Sequence, residues 1–265
     1  MGLTYPAMLI LLPPSEGKSS PRRGARLDPV RLSFPSLGVA REQVLRALVD
    51  LCSGDPAVAA QVLAVPATKP ELVEQNRLLR SAPTARADAV YTGVLYDALD
   101  LATLSAAGKR RAARRLAVTS SLFGLVHPGD RIPAYRLSGD ASLPGLGPVA
   151  GVWREHLGDA VLDAVGSGLL VDLRSSTYAA FWRPPSELAP RVATVRVLHE
   201  VKGKRSVVSH FNKATKGRLV RALLEDGAAP RTPSALAEAW TRLGWTVESA
   251  ESRQGTRLDV VVTAV

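Results

Sequence analysis

Apolar residues along the chain fall into short unbroken runs and helical stripes that alternate in strand and helix order. Leu9 to Leu12 form one such run, stopped by Pro13 and Pro14. Proline supplies no ladder donor, so the run predicts a buried strand whose end delivers Ser15, Glu16, Gly17 and Lys18 to an edge. Residues 19–35, rich in proline, glycine and arginine, predict an exposed loop free to move. Val44, Leu45, Leu48, Val49 and Leu51 recur at helical spacing and predict a helix over residues 41–52. Two further helices, over roughly 55–65 and 70–79, flank Val65-Pro66-Ala67-Thr68-Lys69. Residues 41–80 thus predict a helical subregion resembling a helix-hairpin-helix, without the Gly-x-Gly hairpin.

The same alternation continues downstream. Residues 89–97 predict a strand running into Gly93 and then a helix toward Leu101, with Tyr91 and Tyr96 at the strand end. Lys109, Arg110, Arg111, Arg114 and Arg115 predict a basic helix face, followed by a strand over 116–119. Residues 120–137 are dense in glycine, proline and polar side chains and include His127, Tyr135 and Arg136. A helix over 151–162 carries Trp153, and the apolar run at 169–174 predicts another buried strand, with Ser175, Ser176 and Tyr178 beyond its end. Strands near residues 10, 118 and 171 therefore each release hydroxyls and cations at their C-terminal ends, where α/β sheets assemble sites.

A hairpin over 193–200 and 206–208 is predicted around Lys202-Gly203-Lys204, followed by a helix over 210–225 that Ser209 can cap. At about 100° per residue, His210, Lys213, Gly217 and Arg221 share one narrow face of it. Gly217 inside a helix costs up to about 1 kcal/mol relative to alanine, which points to a ligand or a backbone approaching closely. A capped helix over 232–243 containing Trp240 and a strand over 258–262 close the chain.

Composition narrows the class. At 265 residues and 46% hydrophobic content, the chain can bury one substantial core and form one large domain or two small ones. The balance of 34 basic against 24 acidic residues gives +10 and favours polyanionic partners such as nucleic acid. One cysteine, Cys52, precludes an internal disulfide and a cysteine metal cluster. The four histidines, His127, His156, His199 and His210, stand singly without ligand spacing, so no metal and no cofactor is expected. No apolar stretch approaches the roughly 20 residues that span a bilayer, and the N-terminus lacks a signal peptide's pattern, which predicts a cytoplasmic protein with no membrane partner.

Five ordered blocks carry a resemblance. They are Leu11-Leu12-Pro13-Pro14-Ser15-Glu16-Gly17-Lys18, Tyr91 through Tyr96, Ser120 through Gly124 with Pro133 through Leu137, Asp172 through Tyr178, and Lys213-Ala214-Thr215-Lys216-Gly217-Arg218. Together they resemble the YaaA peroxide-stress family and span nearly the whole chain. The resemblance implies a single mixed α/β (α+β) domain over 1–265 of the cantaloupe-type fold, a mixed sheet with surrounding helices and a helix-hairpin-helix-like element, with a positively charged cleft and double-stranded DNA binding. It also implies a role in limiting oxidative DNA damage during peroxide stress, through lower intracellular iron.

Two functions follow as expectations. In the first, double-stranded DNA or another nucleic acid is held by Ser15, Lys18, Tyr135, Arg136, Ser175, Ser176, His210, Lys213, Lys216 and Arg221. In the second, an enzyme acts on a nucleotide, nucleobase or other anionic small molecule. Lys18 is then nucleophile or electrostatic clamp, Glu16 a general acid/base, Tyr135 or Tyr178 a proton donor or stacking platform, and Arg136 the anion anchor.

Overall fold

The computed structural model describes residues 7–263, and the side chains of Ser209 and His210 lie outside the described residues. The first part of the chain forms β1 (Met8–Leu12), α1 (Gly38–Ser53), α2 (Pro56–Val62), α3 (Glu71–Arg77), β2 (Ala85–Arg86), α4 (Ala87–Val90), α5 (Val94–Leu99) and α6 (Ala106–Arg115). The middle forms β3 (Leu116–Ser120), β4 (Gly124–Val126), β5 (Arg131–Ile132), β6 (Ser142–Leu143), β7 (Gly147–Pro148), α7 (Val149–Val165), β8 (Leu169–Asp172) and α8 (Ser176–Ala179). The last part forms β9 (Val192–Val201), β10 (Lys204–Ser206), α9 (Ser209–Asp226), α10 (Pro233–Arg242), β11 (Thr246–Ser252) and β12 (Gly255–Val262).

The apolar run that opens the sequence becomes the middle of the main sheet. All five residues of β1 are buried, as expected for a strand covered on both faces. The eight-stranded sheet runs β11-β12-β9-β8-β1-β3-β4, with β10 pairing β9. β1 lies parallel to both neighbours: Ile10 stands opposite Leu116 on β3 and Val171 on β8. The pairing continues one step past β8, where Leu173 N–H donates to the Leu11 carbonyl at 3.0 Å. β9 extends the parallel set beside β8 and β12, while β4, β10 and β11 pair antiparallel. The three strands read as releasing polar residues are therefore adjacent and point the same way, so their C-terminal ends meet on one edge. Trp153 of α7 is buried and donates Nε1–H to the Ser121 carbonyl at 2.6 Å, tying that helix to the end of β3.

Three local readings are corrected. The strand expected from residue 89 is instead the short helix α4, in which buried Ala87 and Val90 stand three apart and face the core together. Only Tyr91 retains a strand-like contact, a bridge to Lys18. The hairpin partner expected at 206–208 is Lys204–Ser206, because Lys202 (φ 50°) and Gly203 (φ 74°) close a tight two-residue turn that brings pairing forward. Residues 19–35 are fastened rather than free: Ser19 N–H donates to the Val90 carbonyl at 2.9 Å, and Arg26 forms a bridge with Pro83. The expected helix pair is present as α2 and α3, seven residues each. Among the described residues, no helix is long and apolar enough to cross a membrane.

Candidate functional site

Past the ends of β1 and β8, the chain turns outward and leaves a cavity of about 540 Å³. The Ser15–Gly17 loop, Thr92–Tyr96, the Ser175–Tyr178 segment and the first turns of α9 enclose it. A slightly larger groove of about 600 Å³ runs along α1 beside Gln43, Arg46 and Asp50. That groove gathers no comparable set of hydroxyls and amines, so chemistry and not volume singles out the cavity at the strand ends.

The loop that forms one wall is held by its own backbone. Ser15 Oγ–H donates to the Gly17 carbonyl at 2.5 Å and accepts from Thr92 N–H at 3.0 Å, while Thr92 Oγ1–H donates to Gly17 O at 3.1 Å. Tyr96 O–H reaches the Pro13 carbonyl at 2.7 Å. Lys18 closes the loop from behind. Its Nζ donates to the Ser15 carbonyl at 2.7 Å and lies 4.2 Å from the Tyr135 ring centroid. Lys18 is half-buried as a residue, but its ammonium end is enclosed. Desolvation, followed by repulsion from Arg136, lowers its pKa to about 7 against a weaker opposing pull from Glu16. Arg136 sits beside it, 3.6 Å from the Glu16 carboxylate, with its backbone clamped by Asn76 through hydrogen bonds of 2.7 and 2.9 Å. Neither Lys18 nor Arg136 lines the cavity. Tyr135 is buried beneath them in a chain of hydroxyls, 2.8 Å from Ser120 Oγ and 3.1 Å from Tyr91 O–H. Burial pushes its phenol well above the ordinary tyrosine range.

The opposite wall carries the more available chemistry. Lys216 is buried on α9, and among the described residues its Nζ makes one hydrogen bond, to the Leu173 carbonyl at 3.2 Å. Burial lowers its pKa to about 8, against the attraction of Asp172. That carboxylate is already paired with Arg174, at 2.9 Å from Nε and 2.7 Å from Nη2. An ammonium has three donors, so two N–H groups of Lys216 are left for a ligand. Lys213, Asn212, Ser175, Thr177 and Tyr178 also line the cavity, and Asn212 Oδ1 is buried without a partner among the described residues. Burial raises the Tyr178 phenol above its ordinary range, so it holds its proton.

The helix face expected to act as a unit divides. Gly217 packs on α5, where a Cβ would overlap the Leu95 carbonyl oxygen, so the approaching backbone is another helix. Arg221 donates to the Leu99 and Asp100 carbonyls at 3.1 and 2.7 Å and caps that same helix. Lys213 reaches the cavity, His210 lies outside the described side chains, and exposed Ser176 stands outside the lining. Thr92, Ser138, Asp140, Thr177 and Asn212 belong to the cavity and were not among the expected site residues. Asn212 was legible, since it stands one helical turn before Lys216.

A family description, peroxide stress protein YaaA, matches residues 8–251 of this sequence. The chain belongs to the YaaA peroxide-stress family. It is 52% identical over 261 residues to a UPF0246 protein of Streptomyces coelicolor, covering 97% of this chain and all of that one. A UPF0246 protein of Corynebacterium efficiens is 43% identical over 257 residues, covering 96% of this chain and all of its own. An uncharacterized protein of Campylobacter jejuni is 26% identical over 213 residues, 80% of this chain and 83% of that one.

In this YaaA-family chain the cations do not concentrate in the cavity, where Lys213 and Lys216 face the carboxylates Glu16 and Asp140. On α6, Arg111 donates to the Leu224 carbonyl at 2.6 Å and Arg115 to the Ala228 carbonyl at 2.8 Å, so two of the cluster's cations serve the C-terminal end of α9. Lys109, Arg110 and Arg114 are exposed. Among the described residues no three histidine, cysteine, aspartate or glutamate side chains gather as a metal site. Burial raises the Cys52 thiol above its ordinary range, away from the reactive thiolate.

Proposed function

We propose that the cavity at the strand ends is a binding and reaction site for a nucleotide-sized anion, and that this cytoplasmic YaaA-family protein acts in peroxide stress through that ligand. The observation that carries the reading is Lys216, a buried ammonium with two donors that meet no acceptor among the described residues, on the wall of a space of about 540 Å³. That volume falls within the range of small-molecule sites, whereas duplex DNA presents its phosphates along an extended surface. Lys216 anchors the phosphate or carboxylate, with Lys213 at the mouth. Ser175, Thr177 and Asn212 offer hydrogen bonds, and Tyr178 offers a ring for stacking and a retained proton to donate. Glu16, exposed on the rim, is the candidate proton acceptor. Lys18 is assigned to holding the Ser15–Gly17 wall, because its amine bonds to the Ser15 carbonyl and stays out of the lining.

A second reading, duplex DNA binding, has its own support in the net charge of +10 and in exposed Lys109, Arg110 and Arg114. The α2 and α3 pair would then serve as a backbone-gripping element. Isotherms over a series of salt concentrations separate the two. A mononucleotide bound in the cavity competes with duplex DNA weakly and shows a shallow salt slope. Duplex held by the α6 cations shows a steep slope that falls by about 2.7 when the three are replaced by glutamine. Absence of mononucleotide binding, together with duplex affinity that Lys216→Met weakens, overturns the first reading.

A further inference from the structure

The arginine-rich segment at residues 19–35 has no part in the cavity at the strand ends, yet it is built into a site of its own. Thr84 donates to the Ala25 carbonyl twice, from N–H at 2.9 Å and Oγ1 at 2.8 Å. Gly24 holds φ at +146°, and a Cβ there would overlap the Thr84 carbonyl oxygen, so only glycine permits this approach. The segment thus presents its arginines from a fixed backbone. Between it and Arg131 lies a cavity of about 400 Å³, lined in part by Arg26, Arg31, Arg131, Asp28 and Asp130.

The charges in this cavity are unequal in availability. Asp28 accepts from Val30 N–H at 3.2 Å. Asp130 accepts from Ser33 N–H, Ser33 Oγ–H and His127 N–H at 3.1, 2.8 and 2.8 Å, so its carboxylate is taken up by the surrounding loops. Arg131 places Nη2 on the Thr84 carbonyl at 2.7 Å, which fixes its guanidinium at the wall. The side chains of Arg26 and Arg31 make no hydrogen bond or ion pair with any described residue. Two free guanidinium groups and one positioned one line this cavity beside Asp130, whose carboxylate three loop donors already occupy, and Asp28, which accepts one contact from its own turn. Guanidinium forks match phosphate oxygens in geometry, and a preordered backbone lowers the entropy lost on binding.

We infer that this cavity is a phosphate-binding site, separate from the cavity at the strand ends, that takes a terminal phosphate group. A small phosphorylated molecule and the 5′ end of a nucleic acid share that chemistry.

The test is calorimetric titration of the full chain with inorganic pyrophosphate, with a 5′-phosphorylated single-stranded oligonucleotide and with the same oligonucleotide bearing a 5′ hydroxyl. Wild type, Arg26→Ala/Arg31→Ala and Arg253→Ala, an exposed arginine on the β11–β12 turn outside both cavities, are compared, with matching thermal melts showing that each is folded. The inference expects pyrophosphate or the 5′-phosphorylated strand to bind, and affinity to fall at least about tenfold in the arginine double variant but not in Arg253→Ala. Binding by pyrophosphate identifies a small-molecule source, and binding by the phosphorylated strand alone identifies a nucleic-acid end. Equal affinity for the hydroxyl-ended strand, affinity unchanged in the double variant, or no binding by wild type overturns it. Gly24→Ala, which displaces the loop without removing a charge, is expected to weaken the same binding.

Discussion

Lys18 and Lys216 are both drawn below the ordinary lysine range by burial, to about 7 and about 8, yet their surroundings differ in kind. Lys18 lies behind a loop, bonded to the Ser15 carbonyl and stacked on Tyr135, outside the cavity lining and beside Arg136, whose Nε is buried without a partner among the described residues. Among the described residues, Lys216 stands on the wall of an open cavity with one carbonyl for a partner, and beside it Asn212 has a buried oxygen with none. A depressed pKa therefore marks desolvation in both places, and it is unsatisfied donors on the wall of an open cavity that mark a place for a ligand.

The largest way to break this contrast is to remove the support that carries Lys216 to its wall. Gly217→Val drives a branched side chain into the Leu95 carbonyl at the crossing of α9 and α5. We expect a loss of about 3 kcal/mol or more, read as a lowered denaturation midpoint, with ligand binding lost as well. Lys216→Met is the sharper change. It keeps most of the volume and removes the charge, so mononucleotide affinity should fall on the order of a hundredfold in calorimetry while the fold persists.

Changing pH has a smaller effect whose sign is fixed by the same group. Lys216 is charged below about 8, so anion affinity should decline as pH rises through that value, well before an ordinary lysine at 10.5 would lose its proton. Stability moves the other way. Between about 8 and 10.5 the unfolded chain keeps a proton on this lysine that the folded chain has released, so this lysine's contribution to stability rises with pH there. The stability that Lys216→Met gains at neutral pH, about 3 kcal/mol at most, should accordingly shrink toward pH 10.5 in paired melts. The smallest expected effect is that of Lys18→Met, which should change mononucleotide affinity by less than about threefold, since the removed amine contacts wall and not ligand. A loss as large as that of Lys216→Met would erase the distinction between the two lysines.

Much of this architecture was legible because its signals are local. The run at residues 9–12 ended by two prolines, and the similar run at 169–174, read correctly as strands with polar residues past their ends, and the sheet places those ends side by side. What stayed hidden depends on pairs far apart in sequence. Gly217 and Arg221 looked like ligand contacts because the sequence does not show that α5, more than a hundred residues earlier, crosses there. Lys18 read as a candidate reactive amine, and its seat against Tyr91 and Tyr135 depends on contacts with distant parts of the chain that the sequence does not show. Residues 89–91 read as a strand because two apolar positions and a tyrosine fit both periods over so short a span.

The most direct test is an NMR pH titration of the Lys216 side-chain amine, with and without a mononucleotide. A phosphate seated against it favours the charged form, so its pKa should rise from about 8 toward the ordinary lysine value when the ligand binds, while that of Lys18 shifts little. A bound mononucleotide that leaves Lys216 unmoved, or moves Lys18 instead, would contradict the assignment of the cavity.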